Sequence, residues 1–268
     1  MNPIKSTLLL GVLLMGTQAF SQEIEDKRGI VAKNAELVKV QDGFEFTEGP
    51  AVNRFGDVFF TDQPNNRIHK WNALSNEVSV FKEDAGRSNG MYFLLDGTLV
   101  AAADNKNEIW AFDTEGNQSV WITAFKGKKL NGPNDLWVRP KGGIYFTDPL
   151  YVRSYWEVGT PDGKFLYVSD IGAKKTYKYE MREDGYLINK TLFCEMGSDG
   201  MTIDDRGNVY LTGDGVTVFN RSGEQIAHIP VPAKWTANVV FGSLDRKTLF
   251  ITAMDAVYTL QMKNRGVW

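Results

Sequence analysis

The 268-residue sequence predicts an all-β fold of the β-propeller type, and three observations carry that prediction. Short β-prone runs ending in aspartate recur along the chain, closing at Asp62, Asp104, Asp148, Asp170, Asp214 and Asp255. Their spacings are 42, 44, 22, 44 and 41 residues, so one period of forty-odd residues holds everywhere except at a single short junction. A repeat of that length built from several short strands has the size of a four-stranded propeller blade. The second observation is composition: 26 glycines and 12% aromatic residues favour many short strands and turns over long helices. The third is that strand signals are joined by Gly-containing turns, as in Leu136-Trp137-Val138, Pro140-Lys141-Gly142-Gly143 and Ile144-Tyr145-Phe146-Thr147, which is a hairpin pattern.

The elements follow in chain order. Residues 1–21 read as a signal peptide, with Lys5 as the positive end, an apolar core from Thr7 to Met15 and small residues near Ser21. The apolar run is too short to span a bilayer. Cleavage before Gln22 and export to the periplasm or the medium are the expectation. No cysteine adjoins the cleavage point for lipid attachment, so no membrane anchor is expected. The single propeller domain then covers 22–268.

Within that domain each hairpin opens on an oxygen-bearing side chain: Glu48, Asn89, Asn134, Asp199 and Asn238. Five of the six units supply one. Inner strands of a propeller run side by side around the axis, so these heads form a ring of oxygens, a donor set suited to Ca²⁺. The aspartates that end the second strands read as caps for turn amides rather than as catalysts. Asp204-Asp205-Arg206-Gly207-Asn208 lacks the spacing and closing Glu of an EF-hand and reads as a turn.

Several chemistries are excluded. There is no G-x-S-x-G elbow, no phosphate-binding P-loop and no H-E-x-x-H helix. His69 and His228 are the only histidines, and both read as structural; the alternation Arg67-Ile68-His69-Lys70-Trp71 places His69 on the exposed side. Cys194, the only cysteine, reads as a buried strand residue without a disulfide partner. The net charge is −3, and Lys126-Gly127-Lys128-Lys129 reads as a solvated turn, so no nucleic-acid partner is expected.

Taken together, Phe46-Thr47-Glu48-Gly49-Pro50, Ser88-Asn89-Gly90-Met91, Leu130-Asn131-Gly132-Pro133-Asn134-Asp135, Tyr145-Phe146-Thr147-Asp148-Pro149 and Ser198-Asp199-Gly200-Met201 resemble the motifs of the SMP-30/gluconolactonase/LRE-like family. The resemblance runs from about Gly43 to Met262. It implies six blades, a divalent cation on the axis, calcium before zinc, and hydrolysis of a lactone or sugar-acid ester by a monomer or small homo-oligomer. It puts the metal ligands at Glu48, Asn134 and Asp199 and the substrate contact at Asn89; the mechanism expected to follow from the metal has Asp199, or a metal-bound water that it orients, deliver the attacking hydroxide, so Asp199 is the catalytic candidate. Related expectations on the same scaffold are another ester or a phosphotriester as substrate, or a non-catalytic binding propeller. That last alternative arises because the family's blade-four Asn has no counterpart between Tyr155 and Gly163. The same region contains the short junction, so blades three and four are expected to be truncated into a hybrid blade or to leave the ring open.

Overall fold

The computed structural model describes residues 23–140, 142–149, 155–160 and 162–267. The leader expected over 1–21 lies outside the described residues. Strands account for the regular structure, with one short 3-10 turn at Asp104–Lys106. No described helix is long and apolar enough to cross a membrane.

Five blades of at least four strands make up a β-propeller arrangement, with a two-stranded sheet standing between the second and the next full blade. The first sheet consists of Thr47–Val52, Val58–Asp62, Arg67–Trp71 and Val78–Glu83 in sequence order. The second repeats the pattern with Ser88–Phe93, Leu99–Ala103, Glu108–Phe112 and Gln118–Ile122. An exposed two-residue ladder, Ala124–Phe125 against Lys128–Lys129, follows it and contains the lysine-rich turn. The third sheet has only Leu136–Val138 paired with Ile144–Phe146. The fourth has Tyr155–Gly159, Phe165–Asp170, Lys175–Met181 and Leu187–Cys194. The fifth has Met201–Ile203, Val209–Gly213, Gly215–Phe219 and Gln225–Ile229, with Glu25–Asp26 added at its outer edge. The sixth is sewn from both ends of the chain, because Val38–Asp42 pairs with Ala256–Gln261 outside Asn238–Gly242 and Thr248–Ala253.

Burial explains the strand sequences. The second strands Val58–Asp62, Leu99–Ala103 and Val209–Gly213 are buried along their whole length because neighbouring blades cover both faces. They therefore read as continuous apolar runs rather than as alternating ones. Apolar clusters fill the spaces between successive sheets: Phe59 and Ile68 meet Trp110, Leu136 meets Val100, Trp137 meets Leu166, Tyr167 meets Leu211, Tyr210 meets Phe241, and Phe250 meets Phe60. That succession returns to its start, so the packing closes a circle through the two-stranded third sheet.

The short junction does leave an incomplete blade, as expected, but the truncation falls on the third sheet alone. The fourth has all four strands, with Tyr155–Gly159 serving as its inner strand. Among the described residues there is neither a merged hybrid blade nor a missing inner strand in the fourth sheet. Twenty-two residues leave room for one extra strand, and the chain places it where it touches both neighbouring inner strands. Residues 150–154 lie outside the described residues. The shortened sheet is braced by a hairpin turn of the fourth: Arg139 donates to the carbonyls of Glu183 and Arg182 at 2.9 Å each, and Tyr145 Oη donates to that of Gly185 at 2.7 Å.

Three of the six terminal aspartates cap backbone amides as expected. Asp62 accepts from the amides of Glu45 and Phe46, Asp148 from those of Asn131 and Gly132, and Asp170 from that of Ala173. Asp204 is likewise structural, accepting from Arg206 and Asn208 amides and from Tyr210 Oη. Cys194 is buried. His69 is a correction: it is buried, not exposed, with its ring 5.3 Å from that of Phe60 and 5.0 Å from that of Phe44. Alternation misleads there because both faces of this strand lie between sheets.

Phe60 joins this cluster at ring distances of 5.2 Å to Phe44 and 5.6 Å to Phe250, with no solvent exposure. Phe60→Ala is expected to cost about 3–5 kcal/mol in urea unfolding, whereas Leu74→Ala at an exposed turn should change stability by less than about 0.5 kcal/mol.

Candidate functional site

Two of the strand heads take their position from a break in regular pairing. In the first sheet the register shifts between Glu48 and Ala51, and in the second between Ser88 and Met91. Such bulges turn a side chain away from the ladder. Gly49 sits at φ +47, and a Cβ there would overlap the carbonyl of Asn89, so glycine lets the first two inner strands approach closely. Asn134 and Asp135 precede the short strand of the third sheet, tied by Asn134 N to Thr147 O at 3.0 Å and Thr147 N to Asp135 O at 2.9 Å.

The five predicted heads do gather at one end of the axis. Asn89 Nδ2 donates to Asn134 Oδ1, and Gly90 N donates to Asn134 O at 2.6 Å. Asn238 Nδ2 donates to Glu48 Oε2 at 3.2 Å, and Gly49 N donates to the same oxygen at 2.9 Å. Glu48, Asn89, Asn134 and Asn238 are buried. Asp135 and Asp199 are partly exposed. Asp135 accepts from Leu136 N at 3.0 Å.

Three further side chains belong to this cluster beyond the ligand, substrate and base positions that the motifs assign. Asp135 and Asn238 were visible as oxygen-bearing residues at strand heads, and their adjacency to the others is what adds them. Trp235 carried no signal: it lies in the loop before the sixth sheet, and its indole Nε1 donates to Asp199 Oδ2.

The electrostatics follow from packing like charges in a small volume. Burial pushes the Glu48 carboxyl well above the usual range, with Asp199 and Asp135 adding repulsion against the Gly49 and Asn238 donors. Burial raises Asp135 to about 7, opposed by the Leu136 amide and reinforced by Asp199. Burial raises Asp199 to about 6, and the Trp235 hydrogen bond holds it from rising further.

Such a site offers hard oxygen donors of mixed type. Among the described residues no three His, Cys, Asp or Glu side chains form a ready metal cluster, so any cation would draw on amides as well. The arrangement fits one on two counts: mutually repelling carboxylates, and the buried Asn89 Oδ1, which accepts no hydrogen bond. Oxygen-only ligation of variable number is the chemistry of Ca²⁺.

Comparison with known proteins matches residues 46–155 and 159–255 to the SMP-30/Gluconolactonase/LRE-like region. A gluconolactonase of Zymomonas mobilis is 27% identical over 83% of this chain and 80% of its own. The solved structure of a gluconolactonase from Xanthomonas campestris superposes with a TM-score of 0.82 at 24% identity, covering 89% of this chain and 94% of that one. A calcium-binding regucalcin from Agrobacterium tumefaciens superposes at 0.70 with 17% identity over 86% and 95%. These two superpositions speak to the fold.

Glu48, Asp135 and Asp199 bind protons more tightly in the folded chain than in the unfolded one, so folding takes up protons and stability falls as pH rises. The fall begins near the ordinary values of 3.8 and 4.5, and the Asp199 and Asp135 contributions are lost above about 6 and about 7. In chelator, the urea midpoint should therefore be lower at pH 8 than at pH 5, a loss on the order of 1–3 kcal/mol in unfolding free energy. Asp135→Asn should flatten this dependence, and a midpoint that rises with pH in both proteins contradicts the assignment.

Proposed function

The chain belongs to the SMP-30/Gluconolactonase/LRE-like family, and on that footing we propose that it is a gluconolactonase-like lactone hydrolase that uses a divalent cation. The observation that carries this reading is the convergence of Glu48, Asp135 and Asp199, with raised proton affinities, beside the open oxygen of Asn89. The similarity to the Zymomonas gluconolactonase supports the substrate class.

Glu48, Asn134 and Asp199 are the residues proposed to hold the cation, with Asp135 close enough to share its charge. Calcium is the preferred ion because every donor is oxygen. When bound, the ion supplies Lewis acidity at the lactone carbonyl. The remaining chemistry belongs to side chains. Hydrolysis adds a water oxygen to the carbonyl carbon, breaks the ring C–O bond and leaves a hydroxy acid. Asp199 takes the proton from that water as the general base. It then returns the proton to the departing ring oxygen. Trp235 fixes one Asp199 oxygen, which leaves the other to face the reactants. Asn89 is the proposed contact for a substrate hydroxyl.

The same reading takes the molecule as a six-position ring whose third blade is reduced to its inner hairpin, supported by the circle of inter-sheet clusters. It also includes removal of residues 1–21 and export.

Hydrolysis of glucono-δ-lactone, followed by acid release with and without chelator, tests the proposal. Asp199→Asn should lower kcat by about 10²–10⁴-fold, and chelator should abolish the wild-type rate reversibly. Trp235→Phe removes a hydrogen bond that lowers the Asp199 pKa, so the acidic limb of the rate profile should move to higher pH. Equal rates for wild type and Asp199→Asn would dismiss Asp199 as the base, and equal rates in chelator would dismiss the cation.

A further inference from the structure

The axial channel has a second end, and its chemistry is the reverse of the first. A cavity of about 170 Å³ runs from Asp135 and Asn238 at the carboxylate end to Arg54 and Arg246 at the other. The two ends are one inner strand apart: Asn238–Gly242 starts at the cluster and Arg246 lies in the turn that follows it. Five extended residues span roughly 15 Å. Between the ends the wall is apolar, formed by Met91, Phe93, Leu136, Met201 and Val240.

Two buried donors on residues lining this cavity have no hydrogen-bond partner, Arg246 Nη1 and Trp137 Nε1. Among the described residues neither Arg54 nor Arg246 has a carboxylate within ion-pair distance. The Arg54 guanidinium rests 4.7 Å from the Phe55 ring centroid at the mouth. Burial destabilises the Arg246 charge, Tyr92 opposes that effect, and Arg265 adds to it. A buried guanidinium N–H left unpaired costs the desolvation of a charged donor, which an anion would offset.

We infer that this end of the channel binds a short-chain organic carboxylate, its charged group against the Arg246 guanidinium and its hydrocarbon part against Met91, Leu136 and Val240. The volume admits roughly six water-sized groups. The apolar wall favours an organic acid over inorganic phosphate, which has nothing to bury there. None of the proposed cation ligands Glu48, Asn134 and Asp199 lines this cavity.

Isothermal titration of the full protein in EDTA with sodium butyrate, 1-butanol and sodium phosphate at matched ionic strength tests this. Butyrate should bind one to one, with butanol and phosphate at least tenfold weaker. Arg246→Gln should weaken butyrate at least tenfold, and Arg246→Lys, which keeps the charge but loses the forked donor, at least threefold. Should the Gln protein fail to fold by circular dichroism, the Lys variant decides. Asp199→Asn should bind butyrate as wild type does. Butanol or phosphate binding as tightly as butyrate, no butyrate binding, undiminished binding by the folded Arg246 variants, or loss of binding in Asp199→Asn would each overturn the inference.

Discussion

Glu48, Asp135 and Asp199 repel one another at the axis, and none can retreat without breaking the sheet that carries it. Each stands where an inner strand begins, and each strand is held by a partner and by apolar packing against the next sheet. The amides of Asn238, Gly49 and Leu136 and the indole of Trp235 blunt that repulsion by donating to the carboxylates without removing it. The frame stores an electrostatic demand that a cation or protons can satisfy. A binding site made this way needs little movement, because its donors are gathered before any ligand arrives.

Much of this was legible in the chain. The period of the strand-ending aspartates reports the blades because Asp62 and Asp148 cap the same turn ahead of their inner strands, while Asp170 caps the turn that follows it. The ladder of Glu48, Asn89, Asn134, Asp199 and Asn238 reports the axis because strand heads must converge when sheets close a circle. What escaped reading was set by neighbours distant in sequence. His69 is buried by Phe44 and Phe60 on a strand enclosed on both faces, so alternation lost its meaning there. Trp235 reaches Asp199 from a loop that nothing in local pattern marks. The short junction announced that strands were missing, but a count of residues cannot say which. Among the described residues the third sheet lacks outer strands, which leaves the axis intact, and the fourth retains its inner strand.

The channel joins two environments of opposite character. One end gathers acceptors and the other carries Arg54 and Arg246, with an apolar wall between them that screens poorly. A small polar molecule entering it therefore meets a graded field, and its orientation is set by which of its ends carries negative charge.

The sixth sheet has a consequence for how the molecule is made. Its outer strand, Val38–Asp42, leaves the ribosome early, while its partner Ala256–Gln261 comes near the end of the chain. At ordinary rates of synthesis the interval is roughly 10–40 s. During that time the early strand has no native ladder to join, and the ring has no closure. Whatever handles the nascent chain must keep that edge from pairing wrongly until its partner strand arrives, so a strand made late decides the fate of one made early.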